Sequence, residues 1–219
     1  MDDKGQVKQD HARQGNLFGD VEDNAPQGEG EPTAKIRGLS YIEDYLTASD
    51  HDRLLAVIDA QTWLTELKRR VQHYGYKYDY KSRFVDVTMR LGDLPAWAAD
   101  IGHRLLEAGY VSEMPDQVIV NEYLPGQGIA SHVDCTPCFT DTIAAVTLGS
   151  ACVMGFTHKS SRQRIPVLLR PRSLIVMTGE ARYDWLHGIA ARQSDVVGGR
   201  RLPRGRRVSV TFRKVIVQQ

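Results

Sequence analysis

Polar positions dominate the first 34 residues: Asp, Gln and Gly recur, Pro26 and Pro32 interrupt any regular run, and Leu17-Phe18 is an isolated apolar pair. Such a stretch buries too little apolar surface to offset its ordering entropy, so residues 1–34 read as a disordered polar tail. The pattern changes from Tyr41. Leu54, Leu55, Val57, Ile58, Trp63, Leu64 and Leu67 recur at helical spacing behind the candidate caps Ser49 and Asp50. A second helix is expected from Pro95 to about Ala108, with Trp97, Ile101, Leu105 and Leu106 as its apolar positions and Gly109 just past its end. After Met114 the period shortens. β-type runs cover 117–123, 142–148, 152–157, 165–169, 173–178 and 207–217, separated by Gly, Pro or polar clusters. Helices first and short strands afterwards predict an α+β chain, mainly β, with a jelly-roll or barrel core and the N-terminal helices packed on one side. Residues 35–219 form its domain.

Two histidines stand in informative places. His132 and Asp134 form H-V-D, and side chains two apart on extended chain project to the same side. His187 follows 55 residues after His132, in D-W-L-H-G-I. Two His and one carboxylate compose the facial triad of non-haem Fe(II) oxygenases. A surface turn and an ordinary buried histidine would show the same letters. Cys135 and Cys138 make a C-x-x-C that suits zinc or a redox pair, but the pair is single and contains Pro137, so inert thiols are expected. In R-V-S-V-T-F-R, Arg207, Ser209, Thr211 and Arg213 share one face of a strand, with Val208, Val210 and Phe212 on the other. Two arginines facing a barrel interior are costly unless they meet anions, and a dicarboxylate such as 2-oxoglutarate offers one carboxylate to each. An edge strand with solvated arginines is the alternative.

Charge adds a direction. The formal net charge is +1, yet residues 158–219 carry 14 basic and 3 acidic side chains, whereas residues 1–34 carry 3 and 8. A basic C-terminal quarter suits a polyanion, through Arg200, Arg201, Arg204 and Arg206 or through Lys159, Arg162 and Arg164; a solvated surface would carry the same charges. Tyr74, Tyr76, Tyr78 and Tyr80 alternate ahead of Lys81 and Arg83, as in a base-stacking flap or in a strand packed over the barrel mouth. Three cysteines make no disulfide framework and point to a reducing compartment. No apolar run of 18 residues and no hydrophobic signal core are present, so no membrane partner is expected. A cytoplasmic location, or a nuclear one in a eukaryote, is expected.

The segments N-E-Y-L-P-G-Q-G-I-A-S-H-V-D, L-H-G-I and R-V-S-V-T-F-R strongly resemble the AlkB family of Fe(II)/2-oxoglutarate dioxygenases, over roughly residues 70–215. L-G-S-A-C-V-M-G-F and R-S-L-I-V-M-T-G-E-A-R-Y-D-W-L-H-G-I are most similar to the branch containing the tRNA wobble-uridine hydroxylase homologue. The resemblance implies a double-stranded β-helix with Fe(II) on His132, Asp134 and His187. It implies 2-oxoglutarate against Arg207 and Arg213, assisted by Asn121, Tyr123 and Ser209, and a substrate side formed by Tyr76, Lys77 and Tyr78. Ser209 stands where family members commonly carry Asn, and Thr136 where they carry an acidic residue. The implied activity is oxidative dealkylation of N-alkylated bases in DNA or RNA by a monomer, using Fe(II), 2-oxoglutarate and O2 and releasing succinate, CO2 and an aldehyde. The alternatives are a tRNA-modification hydroxylase or protein-lysine demethylase on the same scaffold, and a cupin-like metal-binding module without turnover. Gln14-Gly15-Asn16-Leu17-Phe18 resembles the short motif that engages a bacterial-type sliding clamp; packing of Leu17 and Phe18 on the barrel exterior is the other reading.

Overall fold

The computed structural model describes residues 32–65, 67–80 and 82–217. Most of the expected tail, with the clamp-like Gln14–Phe18 segment, lies outside the described residues. A 3-10 turn at Pro32–Lys35 leads into β1 (Leu39–Ile42). Helix α1 (Ala48–Asp59) is capped by Thr47, whose hydroxyl oxygen accepts from the Asp50 N–H at 3.0 Å; Ser49 and Asp50 fall inside the first turn instead. The helix stops at Asp59, short of Trp63, Leu64 and Leu67, which the apolar spacing assigns to it. Leu64 pairs with Val71 in a β-bridge, and the Arg70 guanidinium lies 4.8 Å over the Trp63 ring, so these apolar groups pack without a helix. After β2 (Val71–Tyr74), α2 (Ala96–Glu107) starts behind Pro95 and ends before the left-handed Gly109, as expected.

The remaining strands are β3 (Gln117–Tyr123), β4 (Ile129–His132), β5 (Phe139–Gly149), β6 (Cys152–His158), β7 (Arg164–Leu169) and β8 (Leu174–Met177). A short helix α3 (Gly179–Tyr183) precedes β9 (Trp185–Ile189), β10 (Ser194–Val197), β11 (Arg200–Pro203) and β12 (Arg207–Val215). They form a six-stranded sheet in the order β1-β8-β5-β12-β3-β2, a four-stranded sheet in the order β4-β9-β6-β7, and the β10–β11 hairpin. All six expected strand runs appear, with shifted ends; β1, β2, β4, β9, β10 and β11 are additional. One apolar cluster, including Ile143, Phe156, Ile175 and Trp185, lies between the two sheets. A second joins Leu54, Ile58, Ile101 and Leu105 of the helices to the other face of the large sheet through Val118 and Val146. The chain is therefore a jelly roll with its N-terminal helices on one side.

Strand β12 is hydrogen-bonded to β3 on one flank and β5 on the other. It is a central strand, which removes the edge-strand alternative. Val208, Val210 and Phe212 enter the helix-side core, so strand alternation directs Arg207, Ser209, Thr211 and Arg213 between the sheets.

The basic C-terminal quarter is less available than its letters suggest. Fully buried Asp195 accepts from Arg204 Nε at 2.7 Å, from Arg192 Nε at 2.8 Å and from the Val153 N–H at 3.0 Å. Arg206 pairs with Glu122 at 2.6 Å and reaches Asp59 at 3.0 Å. Arg204 and Arg206 thus tie the fold together, while Arg200 and Arg201 are exposed. The expectation of inert thiols needs correcting as well. Cys135 and Cys138 are joined in a disulfide, their Cα atoms 5.3 Å apart, within the range a disulfide spans; Cys152 is a buried free thiol.

Burial pushes the Asp195 carboxyl up, but Arg204, the Val153 N–H and Arg192 outweigh it and hold the group below its usual range. Replacing Asp195 with Ala leaves the Arg204 guanidinium buried and unpaired, and should lower stability by about 3–5 kcal/mol in denaturant titrations at pH 7. Because the folded-state value is depressed, the wild-type contribution is present above the unfolded value of about 3.9. It is lost as pH falls through the folded value, so the gap between the two proteins should close in acid.

Candidate active site

Strands β4 and β9 set His132 directly opposite His187, with ring centroids 4.5 Å apart. His132 Nδ1 donates to the Ala130 carbonyl at 2.9 Å, which fixes the ring and leaves Nε2 as the free lone pair. Asp134 lies two residues on. Its Oδ2 is 3.8 Å from His187 Nε2, and its Oδ1 accepts from Arg213 Nη2 at 2.9 Å. Arg182, itself buried, donates to the carbonyls of Asp134 (3.0 Å) and Cys135 (3.3 Å) and so anchors this loop. Among the described residues no three His, Cys, Asp or Glu side chains stand in a finished metal cage. Here two imidazoles and a carboxylate converge, with one carboxylate oxygen held by Arg213.

Electrostatics put Asp134 and His187 in ligand-ready protonation states. Burial raises the Asp134 carboxyl, but Arg213, then His187, His132 and Arg182, outweigh it and hold it well below the carboxylate range. Burial lowers His187 to about 4 against the opposing pull of Asp134, so its imidazole is neutral near pH 7. A neutral imidazole and an ionised carboxylate are what a divalent first-row metal requires.

The β12–β3 register sets Arg207 opposite Tyr123, Ser209 opposite Asn121 and Arg213 opposite Gln117, so all six share one inner face. Arg207 is 3% exposed; its Nη2 donates to Thr147 Oγ1 at 3.0 Å and reaches Ser209 Oγ at 3.5 Å, and its guanidinium lies over the Tyr123 ring. Arg213 Nη1 donates to Gln117 Oε1 at 3.2 Å. Both Nε atoms are buried with no partner. Unpartnered guanidinium donors on buried Arg207 and half-buried Arg213 fit a dicarboxylate cosubstrate, although Arg182 Nε is likewise buried without a partner.

A cavity of about 270 Å³ is lined by Asn121, His132, Asp134 and Arg213 together with Tyr78 and Tyr80. Of the expected substrate-side residues Tyr76, Lys77 and Tyr78, Tyr78 alone borders it. Gly75 turns the chain in the left-handed region (φ 75°), after which Tyr76 bridges Arg90 and packs on the inter-sheet core. Lys77 is exposed, its N–H bonded to the Met89 carbonyl. Tyr80 enters the cavity wall instead, edge-on to Tyr78 at 5.1 Å, with its hydroxyl buried and unpartnered. Arg69 also lines the cavity and escapes the sequence analysis. Its Nε donates to Asn121 Oδ1 at 2.8 Å, and its guanidinium sits 5.8 Å from both the Tyr80 and Tyr123 rings. Within the run L-K-R-R it reads as surface charge.

A larger groove, about 830 Å³, runs along the outer face of the four-stranded sheet, floored by Gly155 and Gly188 and bordered by Lys68, Arg69, Arg164 and Arg192. His132 and Asp134 line the smaller cavity and not this groove; Arg69 and Ile129 border both.

The model of the 2OG-Fe(II) oxygenase superfamily matches residues 38–213, so the chain belongs to that superfamily and is an oxidoreductase that uses Fe(II), 2-oxoglutarate and O2. Within it the chain is a member of the AlkB family, on the ALKBH8 side. It is 39% identical over 202 residues to the mouse tRNA (carboxymethyluridine(34)-5-O)-methyltransferase ALKBH8, covering 81% of this chain and 30% of that protein. It is 36% identical over 218 residues to the Arabidopsis thaliana alkylated DNA repair protein ALKBH8 homolog, covering 89% of this chain and 63% of that one. The chain thus spans less than two thirds of either relative. The solved structure of OsALKBH1 superposes with a TM-score of 0.60 at 15% identity, over 81% of this chain and 96% of that one, which supports the fold.

Gly188, beside His187, permits the close approach of β4. A Cβ there would stand 2.8 Å from both the Cα and the N of Ser131, the residue before His132. Gly188→Ala should therefore push the two histidines apart without removing either. Fe(II) affinity should fall by about tenfold or more in anaerobic titrations, a loss of the size seen when a ligand's support is removed. Stability should fall by about 1–3 kcal/mol.

Proposed function

We propose that the chain oxidises an N-alkyl carbon on a base of DNA or RNA, releasing the alkyl group as an aldehyde. The observation that carries this reading is the composition of the cavity: Tyr78, Tyr80 and Arg69 line it together with His132 and Asp134, and Arg69 also borders the groove edged by Lys68, Arg164 and Arg192. Aromatic faces and a guanidinium suit a base that has left its stack, and the cations suit the phosphates beside it. The names of the two ALKBH8 relatives, a tRNA methyltransferase and an alkylated DNA repair protein, support a nucleic-acid substrate.

In this reading His132, Asp134 and His187 hold the iron. When bound, the iron supplies the coupled oxidation of the cosubstrate to succinate and CO2 and of the substrate carbon. Arg207 and Arg213 orient the two carboxylates of 2-oxoglutarate, with Asn121, Tyr123 and Ser209 completing the seat. Arg213 also holds Asp134 ionised. The inter-sheet core excludes water around these groups, which strengthens every charge interaction among them. Hydroxylation of an N-alkyl carbon gives a hemiaminal that loses an aldehyde on its own. Hydroxylation of a carbon-linked tRNA modification would end at the alcohol; this is the second reading, and the mouse relative's name, a tRNA methyltransferase, supports only its tRNA substrate.

Mass spectrometry of alkylated DNA, alkylated RNA and tRNA, after incubation with protein, Fe(II), ascorbate and 2-oxoglutarate, separates the two. Loss of the alkyl group with equimolar succinate and aldehyde is expected; a hydroxylated tRNA base without aldehyde selects the second reading, and turnover on protein lysine alone overturns both. Asp134→Ala should reduce turnover by more than the roughly 10–100-fold that loss of a ligand's supporting contact costs. Binding of nucleic acid should weaken linearly in a log–log plot against salt.

A further inference from the structure

Cys135 and Cys138 form a pair that the reaction leaves unused. They follow Asp134 directly in the chain, both are 4% exposed, and Cys135 borders the cavity. Both sulfurs rest against one atom of the flap, the carbonyl oxygen of Arg83, at 3.2 Å and 3.3 Å. Arg83 belongs to the turn closed by the Asp79–Phe84 bridge, lines the cavity with Tyr78 and Tyr80, and adopts a left-handed backbone (φ 53°) that a non-glycine residue holds at a cost. Its side chain also reaches across, Nη2 donating to the Val133 carbonyl at 3.3 Å. The flap is thus seated on the loop that carries Asp134.

We propose that Cys135 and Cys138 are a reversible thiol–disulfide site whose redox state sets how firmly this flap is held over the cavity. The co-reactant is a low-molecular-weight disulfide that reaches Cys135 where it borders the cavity. In two exchange steps it takes one electron and one proton from each cysteine; the Sγ–Sγ bond forms, the reagent's S–S bond breaks, and two reagent thiols leave. The two states differ at the flap for a simple reason. In the dithiol, each sulfur carries an S–H able to donate to the Arg83 carbonyl it rests against. In the disulfide, which the structure contains, neither sulfur has a hydrogen to donate. A differential contact of this kind is what a two-state switch requires. The iron end is insulated, because Arg182 holds the carbonyls of Asp134 and Cys135 from the opposite side.

The test compares the full chain reduced with dithiothreitol and oxidised with glutathione disulfide, each desalted and assigned by intact mass. Hydrogen exchange of the flap backbone (residues 76–90) requires no substrate, so it stands whatever the enzyme oxidises. The disulfide form is expected to exchange there about fivefold faster or more, with peptides of β12 unchanged. The KM for whichever nucleic acid proves to be a substrate should rise by a similar factor, and the KM for 2-oxoglutarate should stay within about twofold. The Cys135→Ser/Cys138→Ser protein keeps donors but cannot oxidise, and should show dithiol-like protection before and after glutathione disulfide. Equal flap exchange in the two wild-type forms overturns the proposal. So does a wild-type chain that stays dithiol in glutathione disulfide, or a redox response that survives in the double-serine protein.

Discussion

Two guanidinium groups on the inner face of a fully paired central strand are the constraint around which this molecule is arranged. β12 has hydrogen-bonded neighbours on both sides and helices behind it, so Arg207 and Arg213 have no route to solvent along the strand. Burying an unpaired cation costs several kcal/mol. Arg213 offsets that cost through Asp134, whereas Arg207, among the described residues, meets the hydroxyls of Thr147 and Ser209 and the face of Tyr123. In the proposed function, a dicarboxylate cosubstrate offsets this imbalance.

The same constraint organises the neighbouring groups. Arg213 keeps Asp134 ionised, and Asp134 lies beside a His187 that burial keeps neutral, so one ion pair joins the inner face of β12 to the converging histidines. Gly188 and Ser131 bring β9 and β4 together closely enough to face the two histidines across the ladder. Opposite them the flap supplies Tyr78, Tyr80 and Arg83, and the loop before β2 supplies Arg69. Chemistry sits on strands and recognition on loops, a division that allows one jelly roll to serve many substrates.

Much of this was legible in the sequence. The alternation of β12 identified both arginines and the faces they occupy, and H-V-D with the distant His187 identified the residues that converge. The strands that carry those ligands were not seen. β4 and β9 are four and five residues long and contain Ala130, Ser131 and Gly188, small residues chosen by close approach rather than by apolar alternation. The apolar period of α1 continued past its end because Leu64 packs through a bridge, which leaves the same letters as a helix would. Arg69 is hidden in a charged run, and Arg204 and Arg206 leave phosphate contact and a solvated loop equally open because their partners, Asp195, Glu122 and Asp59, lie 9 to 147 positions away. The Cys135–Cys138 bond depends on a Cα separation that spacing alone does not specify.

The most direct measurement is anaerobic binding of 2-oxoglutarate to the metal-loaded protein, wild type against Arg207→Met, by calorimetry. Arg207 has no carboxylate partner among the described residues, and methionine fills much of its volume, so the substitution removes an anion's partner without unpairing another charge. The arrangement described here requires the variant to bind 2-oxoglutarate at least tenfold more weakly while folding with equal or greater stability. Unchanged affinity, with Arg207 absent, would show that the buried arginine serves the fold and that the cosubstrate sits elsewhere.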